Sequence, residues 1–164
     1  MRHRWKIVIG TMGVAATLGA CSLPERPVVL LTRVDFEVAA EANNGKAFVC
    51  HIVVAHSQAL MDKLQAMDAV GYFSTADTLL KTHKDSIEVH QFDLIPGRNK
   101  LDQEISLKSR KGAKGAFLFA KYLQPGQFME NVGGAKKITV RFLPYKMEVH
   151  HDTDLESLIK TMGM

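Results

Sequence analysis

The chain has 164 residues, 46% of them hydrophobic and 23% charged, which excludes a disordered chain and suits one globular domain with its own core. The formal charge of +4 overstates the basicity of any folded part, because Arg2, Arg4 and Lys6 crowd the amino terminus. Removing these three from 21 basic residues leaves 18 against 17 acidic ones, so the remainder carries no electrostatic signature of nucleic-acid binding.

The first twenty residues read as an export signal. Met1 to Lys6 is basic, and Ile7 to Leu18 is apolar and uncharged. That run is shorter than the roughly 20 residues needed to span a bilayer. Leu18-Gly19-Ala20-Cys21 resembles the lipobox of bacterial lipoproteins, in which small residues fit a narrow protease site before the modified cysteine. The reading is therefore a signal peptide over 1–20 and lipidation of Cys21, with a tether over 21–27. Several acyl chains, each buried CH₂ contributing about 0.8 kcal/mol, anchor stably where one does not. Ser22 follows the cysteine where an aspartate would favour inner-membrane retention, so the expected location is the outer membrane, facing the periplasm. Cys50 is then the one remaining cysteine. It lies in an apolar run and reads as a small core residue, leaving the domain without an internal disulfide.

The expected domain covers 28–149. From Val28 to Val38, apolar Val34, Phe36 and Val38 alternate with Arg33, Asp35 and Glu37, the period of a half-buried strand. Glu41 to Lys46 supplies turn chemistry through Asn43-Asn44-Gly45, which tolerates positive φ. The nearly continuous apolar run Ala47 to Ala55 predicts a central strand covered on both faces, pairing with the first as a hairpin. A helical insertion is expected over about 57–84. Ser57 would cap a helix from Gln58 to Val70, with Leu60, Met61, Leu64, Met67 and Val70 along one buried stripe. Ser74 and Asp77 would open a second helix as a capping box. Strands resume at Ile87 to Ile95, with a parity change near His90-Gln91 that predicts a bulge, then at Lys100 to Lys108. A tip at Ser109 to Gly115 follows, then strands at Ala116 to Leu123 and Lys137 to Leu143, continuing past Pro144 to Val149. Six to seven strands with a helical insertion predict a β-sandwich. Beyond it lies a tail, 150–164, in which Leu155, Leu158, Ile159 and Met162 could form a short amphipathic helix.

Catalytic and metal signatures are weak. His150-His151-Asp152 has metal-ligand residue types, but neighbouring strand residues point to opposite faces. Arg110, Lys111 and Lys114 lack the Gly-Lys-Ser/Thr order of a phosphate-binding loop. No nucleophile elbow, zinc-protease motif or Cys-x-x-Cys pair occurs. The reading is non-enzymatic, with no metal and no cofactor beyond covalent lipid on Cys21.

The lipobox, the Asn-Asn-Gly turn, the apolar second strand, the helical insertion, the strand end Leu94-Ile95-Pro96-Gly97 and the late run Gly115 to Tyr122 together resemble the TssJ family, outer-membrane lipoproteins of type VI secretion systems. The resemblance implies a transthyretin-like β-sandwich that binds the inner-membrane protein TssM. It also implies a contact role for the loop between the first two strands, here Asn43, Asn44, Gly45 and Lys46. Phe128, Arg98, Arg110 and Tyr145 are further candidate anchors, being aromatic or arginine residues in or beside loops. The alternatives are a lipoprotein of another envelope machine, such as a type IV secretion core or a pilotin-like factor, and a periplasmic ligand-binding lipoprotein.

Overall fold

The computed structural model describes residues 29–98, 101–107, 112–124 and 126–152. The export segment with Leu18, Gly19, Ala20 and Cys21, the candidate anchor Arg110 and the tail beyond Asp152 lie outside them.

Among the described residues, eight strands and two α-helices follow in the order β1 (Arg33–Val38), β2 (Phe48–Ala55), α1 (Gln58–Gln65), α2 (Ala69–Thr82), β3 (Ile87–Leu94), β4 (Leu101–Glu104), β5 (Gly115–Ala120), β6 (Met129–Asn131), β7 (Lys137–Phe142) and β8 (Met147–Asp152). They form two four-stranded sheets, β4-β1-β7-β8 and β3-β2-β5-β6. The sheets pack face to face as the expected β-sandwich, and the helices cover the outer side of the second. The count is eight rather than six or seven because the short edge strand β6 escapes any periodicity test.

Burial explains the layering. In β1 and β7 every second residue faces inward: Val34, Phe36 and Val38, with Ile138, Val140 and Phe142, are buried. Their outward neighbours form charge pairs, Asp35 with Lys137 at 2.8 Å and Glu37 with Arg141 at 2.9 Å. β5 is buried along its whole length, because one face meets the opposite sheet and the other the helices. Phe119 stacks on Tyr72 of α2 at 4.2 Å between ring centroids, a contact of about 0.5–1.5 kcal/mol beyond area burial. Gly115 brings α1 close, since a Cβ there would lie 3.2 Å from Met61 Cγ.

Several local expectations need correction. β1 and β2 are not a hairpin: they lie in different sheets, β1 pairing with β7 and β4, and β2 with β3 and β5. β1 keeps one face toward solvent, whereas β2 lies in the interior of the helix-covered sheet, and the chain arches between the sheets at 39–47. The bulge is also misplaced. β2 and β3 pair residue for residue from Phe48↔Leu94 to Ala55↔Ile87. The apparent parity change arises because Phe92 packs inward on Phe36, whereas Ile87 and Val89 fall on the helix side. An irregularity does occur at the start of β1, where Thr32 N–H and Arg33 N–H both donate to the Lys136 carbonyl at 2.7 and 3.2 Å. It shifts burial from Val29 and Leu31 to Val34 and Phe36.

The first helix ends at Gln65, capped by Ser57. The second begins at Ala69 behind Asp68, whose carboxylate accepts from Gly71 N–H at 2.6 Å. Ser74 is thus helical interior rather than a cap. Val70 belongs to α2 and is 67% exposed, off the buried stripe on which it was expected. β8 runs through Asp152, so His150, His151 and Asp152 belong to a strand rather than to the tail.

Candidate partner-docking site

The strand directions bring four connections to one end of the sandwich: residues 39–47 between β1 and β2, 95–98 leaving β3, 121–124 and 126–128 between β5 and β6, and 143–146 between β7 and β8. Backbone and side-chain bonds tie them together. Gly97 N–H donates to the Val38 carbonyl at 3.3 Å, and Ala39 N–H to Phe142 at 3.0 Å. Tyr122 hydroxyl donates to the Leu143 carbonyl at 3.0 Å.

Asn43 is the central tie. Asn43, Asn44 and Gly45 have φ of 51°, 58° and 70°, three successive left-handed residues of the kind asparagine and glycine tolerate best. This is the chemistry expected of Asn-Asn-Gly, used for an inter-sheet arch. Asn43 itself is buried: its amide donates to the Lys46 carbonyl at 3.0 Å, and its side-chain oxygen accepts from Leu123 N–H at 2.6 Å. Of the four candidate contact residues, Asn43 therefore holds the loop internally, while Asn44, Gly45 and Lys46 are exposed.

Exposed apolar side chains gather at the same end. Among the described residues, the exposed large hydrophobics are Val70, Leu80, Ile95, Leu101, Leu123 and Tyr145. Ile95 at 43%, Leu123 at 61% and Tyr145 at 75% stand on three of the four loops. Val70, on the first turn of α2, lines a groove with Tyr122 and Gln124, the sequence neighbours of Leu123. The placement of these apolar side chains at one end makes that end a candidate interaction surface. Lys46, Arg98 and Lys121 are exposed around it, with Glu41, Asp68 and Asp93 the acidic counterparts; Lys146 pairs with Glu148. Tyr145 and Arg98 thus sit where an anchor is useful, and Phe128 does not. Phe128 is buried and stacks on Tyr122 at 4.0 Å. Leu123, Ile95 and Val70 were not legible as site residues, since single apolar residues near loops carry no signal in sequence.

Burial pushes the Cys50 thiol far above its ordinary range and does the same to the Tyr122 phenol. His51 is held below its usual value, chiefly by burial. Its Nδ1 meets the Tyr72 hydroxyl at 2.9 Å and its Nε2 the Gln91 side-chain oxygen at 3.2 Å. At the opposite end of the sandwich, His56 and His90 flank the buried Glu88 carboxylate at 3.4 and 3.0 Å. No group of three or more His, Cys, Asp or Glu side chains among the described residues is arranged to hold a metal ion.

The architecture is that of a two-sheet sandwich with a helical outer cover and a loop tip. No protein-family profile and no curated protein matches the sequence, but solved structures share its fold. One is Serratia marcescens Lip, a membrane-bound component of the type VI secretion system, with 13% identity and a TM-score of 0.54, covering 76% of this chain and 99% of that one. Another is the type VI secretion lipoprotein TssJ1 from Pseudomonas aeruginosa, with 14% identity and a TM-score of 0.56, covering 75% and 98%. A third is a chain of a type VI membrane complex, with 15% identity and a TM-score of 0.55, covering 73% and 98%. The chain has the TssJ-like fold.

Proposed function

We propose that this protein is a non-catalytic lipoprotein of a type VI secretion membrane complex, held to the outer membrane through Cys21 and docking a TssM-like inner-membrane protein through its loop tip. The observation that carries this reading is polarity along the sandwich. The amino-terminal segment enters at the end opposite the tip, with Leu30 N–H donating to the Gly133 carbonyl at 2.8 Å. Cys21 lies nine positions before Leu30. At about 3.5 Å per residue the tether reaches at most about 30 Å, so this is the lipid-proximal end and the loops form the distal one. The exposed apolar residues are then placed where a partner from the inner membrane arrives, and their loops are cross-tied, which lowers the ordering cost of binding.

The test is direct binding between the lipoprotein in detergent and the periplasmic domain of the TssM-like protein of the same bacterium. Saturable binding that tip variants weaken supports the reading. Absence of binding by the wild-type protein overturns the choice of partner.

A further inference from the structure

We propose that the groove between α2 and the β5–β6 connection is a second docking element for the same partner, receiving one large apolar side chain that is flanked by an acidic residue paired with Lys121. This rests on the reading that the tip docks a periplasmic protein, and it specifies the chemistry of what docks.

The groove has a volume of about 300 Å³ and is lined by Ala69, Val70, Phe73, Tyr122, Gly126 and Phe128, with Lys121 beside them. That is the small end of ligand pockets, about 300–1,000 Å³: room for one side chain, not for the face of a helix. Its floor is preformed. Tyr122 stacks on Phe128 at 4.0 Å and packs edge-on against Phe48 at 4.8 Å. Gly126 makes the wall, since a Cβ there would lie 2.6 Å from the Phe128 ring. The rim residue Val70 is left 67% exposed, at a position where a polar residue would serve the helix as well.

Continuity and charge identify the occupant. Tyr122 of the groove adjoins Leu123 of the tip in sequence, and its hydroxyl is bonded to the β7–β8 turn that carries Tyr145. A partner seated on the tip therefore reaches the groove without a gap. Lys121 places its ammonium 5.7 Å from the Phe73 ring centroid, at the edge of the apolar lining. Acidic Glu41, Asp68 and Asp93 offset Lys46 and Arg98 around the tip, so the charge argument rests on Lys121 itself, the cation that lines the groove. A side chain entering the groove next to a carboxylate satisfies the apolar floor and the cation together, and opposite charges across an interface set register and partner choice.

The experiment compares Val70→Glu, Lys121→Glu and the control Leu80→Glu, which alters an exposed apolar residue of α2 outside the groove lining. Each is titrated with the periplasmic domain of the TssM-like protein at two salt concentrations, with a thermal melt as the check on folding. The expected result is that Val70→Glu and Lys121→Glu each weaken binding by about tenfold or more, that Lys121→Glu also flattens the salt dependence, and that Leu80→Glu binds as wild type. Wild-type binding by both groove variants overturns the groove while leaving the tip reading standing. Equal weakening by Leu80→Glu overturns it too, since a general charge effect then explains the loss. If Val70→Glu does not fold, the salt dependence of Lys121→Glu decides. No binding by the wild-type protein removes the docking reading and this inference together.

Discussion

The side-chain oxygen of Asn43 accepts a 2.6 Å hydrogen bond from the backbone N–H of Leu123, joining the arch between the sheets to the loop that follows β5. A residue expected to touch a partner is instead the internal strut of the surface that would do so. Its neighbours Asn44, Gly45 and Lys46 face outward because Asn43 faces in.

Replacing Asn43 with Ala leaves the Leu123 N–H and the Lys46 carbonyl without their side-chain partner and puts a Cβ-bearing residue without a local hydrogen bond at positive φ. The expected loss is about 1–3 kcal/mol from the unpaired groups and about 1–2 kcal/mol from the left-handed backbone. Denaturant unfolding measures it. Asn44→Ala, which loses only backbone tolerance, should be milder.

Tyr145→Asp and Leu123→Asp change exposed side chains and should shift stability by no more than about 0.5 kcal/mol. Each should weaken binding to the partner's periplasmic domain by about tenfold or more. Thermal melts beside titrations separate the two effects; unchanged affinity in both variants would remove the tip from the interface.

Cys50 is fully buried and its thiol is pushed far up by burial. Because the thiolate is the reactive form, the folded protein should leave Cys50 unmodified by a thiol-specific reagent at pH 8 and react promptly in denaturant. Cys21→Ser should leave the fold and the Cys50 protection intact while abolishing membrane partition; membrane-bound Cys21→Ser protein would sink the anchoring proposal.

On the outer face of β1 and β7, the hydrogen bond and charge of Lys137 hold the Asp35 carboxyl below its ordinary value of 3.8. A depressed folded value means that stability from this carboxylate is present above the unfolded value and drains as pH falls through the folded one. Asp35 lifts the Lys137 ammonium above 10.5, so that part is present below the unfolded value and is lost only as pH rises through the folded one. Unfolding of Lys137→Met should accordingly show less stability than wild type at pH 7 and a shallower decline below pH 4. Parallel pH curves would show that the pair contributes nothing there.

Periodicity and residue chemistry alone placed most of the elements. The alternation of Val34, Phe36 and Val38 with charged neighbours, the unbroken apolar run through β2, the Ser57 cap and the Asn-Asn-Gly positive-φ segment are local properties, written into consecutive residues. They supported a β-sandwich with a helical insertion and a TssJ-like architecture, at an identity of 13–15% to the solved structures that share it. The tertiary structure decided which strand lies beside which. Turn residues permit a reversal without stating whether it closes a hairpin or crosses between sheets, and β1 pairs with β7, 104 positions away, instead of with β2. It also decided the site. Asn43 is buried and Leu123 exposed because four loops distant in the chain converge at one end, and exposure of a side chain depends on what the rest of the fold leaves uncovered.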